Sequence, residues 1–106
     1  MASADMELSA ARMIARGNVL AQAIHDERPW FTMVYGCCEH TVPARRHILP
    51  GRIVFSAYLR DACSGIRTVD LYCGDQMVMT RDVPGFPSAP CRITLSLGVR
   101  TAELAG

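Results

Sequence analysis

The chain has 106 residues, half of them apolar and a fifth charged, with a formal net charge of +1. That composition can build a core, which excludes a disordered tail, and its near-neutrality gives no global argument for nucleic acid. No apolar run approaches the roughly 18 residues of a membrane helix. All eleven basic residues are arginine, which removes P-loop lysine, Schiff-base and lysine-base chemistry.

Asp5 and Glu7 stand where a secretory leader would carry a basic start and then an apolar block. Five cysteines, at 37, 38, 63, 73 and 91, make an odd number that does not suit a secreted disulfide framework. The expectation is a soluble cytoplasmic protein, or one within a cytoplasmically assembled particle, with free thiols.

Over residues 5–28 the apolar positions Met6, Ala10, Met13, Ile14, Leu20, Ala21 and Ile24 recur at helical spacing. The reading is an N-terminal helix that stops at Arg28 because Pro29 follows. Gly17-Asn18 offers a break, leaving two shorter helices as an option. From Trp30 the pattern turns to strands. Residues 30–37 are rich in aromatic and β-branched types. In residues 52–60, Ile53, Phe55, Ala57 and Leu59 alternate with Arg52, Ser56, Tyr58 and Arg60. Segments 66–73 and 76–83 flank Gly74-Asp75, a good two-residue hairpin loop. Unbroken pairing across it would set Leu71 opposite Val78 and Val69 opposite Thr80, leaving Tyr72, Met77 and Met79 on the outer face with Asp70 near Arg81. The proline-rich 83–90 is a stiff loop. Residues 91–100 alternate with Cys91, Ile93, Leu95, Leu97 and Val99 inward. The layout is a single α+β domain over 1–106, a helix at 5–28 followed by about five antiparallel strands over 30–100. Those strands form either one sheet covered by the helix or a small sandwich or barrel.

The stretch GCCEHTVPARRH, 36–47, reads as the end of one strand and a polar turn before the next; it carries the residue types of a metal or thiol site but not the spacing. A metal would need Cys38, His40 and His47 with Cys63 or Glu39 as a fourth ligand, and no CxxC knuckle is present. An extended chain sends Cys37 and Cys38 to opposite faces. A thiol nucleophile could be drawn from Cys38 with His40 or His47, but no acid is spaced to orient the base. No GxGxxG, P-loop, GxSxG or HExxH motif occurs. These observations point away from an enzyme and call for no cofactor.

Charge is uneven: residues 1–40 hold three arginines against five acids, residues 41–106 eight against five. Arg45, Arg46, Arg52, Arg60 and Arg67 share one window with only Asp61 opposing them, and Tyr58 lies among them. Arginines with an interleaved aromatic on a sheet suit a single-stranded nucleic acid or another anion. The main expectation is nevertheless a non-catalytic structural or protein-interaction module. It would be either a self-associating assembly or virion-type component or a small protein that modulates a partner, with Tyr72, Met77 and Met79 as contact candidates. The arginine-based nucleic-acid binder is the alternative, and a small zinc-binding protein stands below it. No membrane is expected as a partner.

Overall fold

A computed structural model describes residues 4–11, 19–35, 38–60, 65–85, 88 and 90–98, with backbone alone for 4–11 and 35. In chain order the described elements are β1 (Ala4–Ala11), α1 (Val19–Asp26), β2 (Pro29–Tyr35), β3 (Cys38–Pro43), β4 (Arg45–Leu49), β5 (Arg52–Leu59), β6 (Ile66–Cys73), β7 (Gln76–Asp82) and β8 (Cys91–Gly98). The strands form two four-stranded sheets, β1-β8-β5-β4 and β3-β2-β6-β7. Among these pairings only β1 with β8 is parallel.

Period-two alternation explains the core. On β5 and β8, Ile53, Phe55, Ala57, Leu59, Cys91, Ile93, Leu95 and Leu97 are all buried, as their spacing predicts. They meet Phe31 and Met33 of β2 and Val69, Leu71 and Cys73 of β6 in one buried cluster, so the two sheets pack face to face. Each large apolar side chain removed from water there contributes about 1.5–3 kcal/mol. The fold is a mostly-β, two-layer α+β structure with one short helix among the described residues, and its eight described strands exceed the five expected.

Three sequence expectations need correction. Among the described residues, the helix expected over 5–28 is Val19–Asp26, and residues 4–11 form β1 instead. Asp5, Glu7 and Ser9 alternate there with Met6, Leu8 and Ala10, and β1 runs in register with β8, setting Met6 level with Ile93 and Leu8 level with Leu95. A sheet edge satisfies that period, and tertiary pairing overrides the helix propensity of Ala, Glu, Leu and Met. The helix does stop before Pro29, as expected, and it buries Ala21, Ala23 and Ile24.

The second correction is the polar turn around 38–47, which is two strands. β3 edges one sheet, β4 edges the other, and only Ala44 separates them. The Ala44 N–H donates to the Pro29 carbonyl at 3.0 Å, fixing the step between layers. This corner closes one side of the sandwich, while β1 and β7 are the other edge strands among the described residues. The β4–β5 hairpin turns through Pro50-Gly51, where Gly51 takes φ +77°, as the third residue of a Pro-Gly turn requires.

The third correction concerns the β6–β7 register. Cys73 does pair with Gln76 across Gly74-Asp75, but a bulge then pairs Tyr72 with Met77 and Leu71 with Met79. Val78 is the extra residue, so Val78 and Met79 both turn into the core. Met79 is 8% exposed and leaves the outer face, whereas Met77 is 52% exposed. Arg81 now lies opposite Val69 rather than near Asp70, and its guanidinium donates to the Thr80 carbonyl at 3.2 Å.

Candidate functional site: two outer sheet faces of opposite charge

The outer face of the β1-β8-β5-β4 sheet follows from register. Arg45 pairs with Ser56, His47 with Val54 and Leu49 with Arg52; these in turn meet Thr94, Ser96 and Gly98 of β8. Tyr58 pairs with Arg92, whose guanidinium carbon lies 5.7 Å from the ring centroid. Strands β4, β5 and β8 contain no acidic residue. At the far edge the β1 register sets Asp5 level with Arg92 and Glu7 level with Thr94. The uncompensated positive charge therefore lies on the β4–β5 side, with Arg45, His47 and Arg52 all exposed. The hairpin tip there presents Ile48 at 60% and Leu49 at 40% exposure.

The outer face of the other sheet has three rows. One is Pro43, Trp30, Tyr72 and Met77; the next Thr41, Thr32, Asp70 and Thr80; the third Glu39, Val34, Thr68 and Asp82. Trp30 and Tyr72 pack with ring centroids 6.0 Å apart, and the Thr80 hydroxyl meets the Met77 sulfur at 3.5 Å. One Asp70 carboxylate oxygen is buried among these neighbours with no hydrogen-bond partner. Three carboxylates and a methionine–aromatic corner thus face away from Arg45 and Arg52.

The arginine set expected from sequence divides on folding. Arg45, Arg52 and Tyr58 share the basic face. Arg60 is exposed just past the end of β5, and Arg67 is exposed in the other sheet, at the start of β6 where pairing with β2 slips. Arg46 is turned inward. Its guanidinium donates to the Ile24 carbonyl at 2.8 Å and to the Glu27 carbonyl, and lies 5.8 Å from the Phe55 ring centroid. It holds the C-terminal end of α1, where carbonyls lack helical partners and a cation is favoured. Arg92 is the face residue that the arginine cluster missed. Its outward position was legible in the alternation of 91–100, but its contact with Tyr58 depends on pairing of β5 with β8, strands far apart in sequence.

The metal ligands expected from sequence do not come together. Cys38 and His40 lie on β3 and His47 on the outer side of β4, in different sheets. Among the described residues no group of three or more His, Cys, Asp or Glu is placed to hold a metal ion. Cys37 and Cys63 lie outside the described residues.

A cleft of about 380 Å³ opens between α1 and the β6–β7 hairpin, with Gln22, Glu27, Cys73 and Asp75 in its lining. Burial pushes the Cys73 thiol above its ordinary value of 9.0, against the lowering influence of the Arg46 guanidinium. A protonated thiol is a poor nucleophile. The shift has a consequence for stability. The unfolded chain releases this proton near pH 9.0 while the folded chain retains it, so the native state loses stability as pH rises from 9.0 through the folded value. A denaturant midpoint that falls over that alkaline range in the parent, and falls less in Cys73→Ala, is the expected result.

The described residues define a two-sheet, mostly antiparallel β-sandwich carrying the short helix α1. Comparisons with protein-family models, with curated proteins and with solved structures gave no match to the chain. No helix among the described residues is long and apolar enough to cross a membrane.

Proposed function

We propose that the chain is a non-catalytic structural or protein-interaction module that works through the outer faces of its two sheets. It acts either as a self-associating component of an assembled particle or as a small protein that binds and modulates another, in the cytoplasm. The observation that supports this most is the separation of surface character: exposed Arg45, His47 and Arg52 beside Leu49 on the outer face of one sheet, and Glu39, Asp70 and Asp82 beside Tyr72 and Met77 on that of the other. Mixed apolar and charged faces of this kind suit protein interfaces, where arginine, aromatic residues and methionine are enriched. Affinity capture from nuclease-treated extract of the source cell tests the reading. Proteins retained by the parent chain and lost with Arg45→Glu/Arg52→Glu or with Asp82→Arg are the expected outcome; identical capture by all three chains counts against it.

A second reading, an arginine-based nucleic-acid binder, draws on Arg45, Arg52 and Tyr58 sharing one face. Stacking platforms engage successive bases on several open aromatic rings. Here Tyr58 is the one aromatic residue on the outer side of β4, β5 and β8, and Arg92 lies over its ring. This is why the protein-contact reading ranks first. Retention on a mixed oligonucleotide that falls steeply with salt would restore the second.

A further inference from the structure

We propose that the partner of each face is the opposite face of a second copy of this chain, so that copies dock head to tail, basic sheet on acidic sheet. The inference rests on the protein-interaction reading and names its partner. Three observations carry it.

The first is charge. Arg45 and Arg52, with His47 between their rows, present positive charge on strands that hold no acid, while Glu39, Asp70 and Asp82 occupy the outer side of the other sheet. Faces of opposite sign on one molecule attract copies of that molecule and repel the like-faced arrangement, which selects head-to-tail docking over a two-fold dimer.

The second is apolar complementarity. Leu49, paired with Arg52, projects from the basic face at the β4–β5 tip, and Met77 projects beside Tyr72 and Trp30 on the acidic sheet. An exposed aliphatic side chain needs an adaptable apolar seat, and a methionine against two aromatic rings supplies one. The third is size. The molecule measures 45 × 25 × 19 Å along its principal axes, so its broad faces can bury the roughly 800 Å² per partner of a standard interface.

Such a contact uses two different patches, so each docked copy leaves one patch free and the assembly grows until a ring closes. The test is sedimentation velocity on the whole chain over a concentration series, with circular dichroism to confirm folding of each variant. Association of the parent is expected at about 0.02 M salt and should weaken at least about tenfold at about 0.5 M, where screening is strong. Arg52→Glu spoils only the basic face and Asp82→Arg only the acidic one. Each alone should be monomeric, and an equimolar mixture should form a 1:1 dimer that grows no further. Arg45→Glu and Met77→Arg provide a second pair if either first variant misfolds. A parent that stays monomeric at low salt overturns head-to-tail docking, as does a mixture in which the folded variants ignore each other. A monomeric parent whose faces still capture a different protein would overturn this inference alone and leave the interaction module standing.

Discussion

Arg46→Ala is expected to lower the unfolding free energy by about 2–4 kcal/mol, while Arg45→Ala, one residue away, should stay within about 0.5 kcal/mol of the parent. The difference follows from strand geometry. Arg45 points to solvent, whereas Arg46 reaches under α1, donates to the Ile24 and Glu27 carbonyls and lies over Phe55. Hydrogen bonds to a charged donor are worth about 1.5–3 kcal/mol, and a cation over an aromatic ring adds about 0.5–1 kcal/mol. An eight-residue helix is too short to persist alone, so losing this anchor should also reduce helical signal before global unfolding. Arg46→Lys should recover only part of the loss, because an ammonium lacks the planar fork that reaches two carbonyls. Chemical denaturation followed by circular dichroism measures all three variants. Equal stabilities for Arg46→Ala and Arg45→Ala would remove the anchoring role.

Phe55→Ala should cost more, about 3–5 kcal/mol. The ring is fully buried, pairs laterally with Arg46 and Leu95, and fills the space between the sheets. Its removal opens a cavity and also takes away the surface on which the Arg46 guanidinium rests. The double variant should therefore lose less than the two single losses together, by about 0.5–1 kcal/mol. Strict additivity would mean that the ring and the guanidinium do not sense each other.

How much of this was legible in the sequence depended on the range of the forces involved. β5, β6 and β8 could be read directly, because strict alternation of apolar and polar residues reports a strand with one face in the core. The loop at Gly74-Asp75 was legible for the same local reason. β1 was not, since its residues favour a helix in isolation and form a strand only because β8 offers an edge. β3 and β4 were hidden differently. CEHTVP and RRHIL lie at sheet edges with most side chains exposed, so they carry no burial pattern to reveal them. One inserted residue, Val78, then moved Met79 from the expected surface to the core, a change that no spacing rule signals.

The candidate site shows the same division. The inward turn of Arg46 depends on a strand at 45–49 that looked like a turn. The pairing of Tyr58 with Arg92 depends on β5 and β8 lying side by side. The assembly of Glu39, Asp70 and Asp82 on one face requires four strands, β3, β2, β6 and β7, in a fixed register. Charge uneven along the chain hinted at two regions, but only the sheet topology turned it into two opposed faces.

Amide chemical shifts recorded by NMR on the isotope-labelled protein, over a concentration series at low salt, test most directly whether the outer faces are the contact surfaces. Concentration-dependent shifts are expected at Arg45, His47 and Arg52 together with Glu39, Asp70 and Met77, and they should vanish in high salt. Shifts confined to the cleft residues Gln22, Glu27 and Asp75, or no shifts on either face, would contradict that assignment.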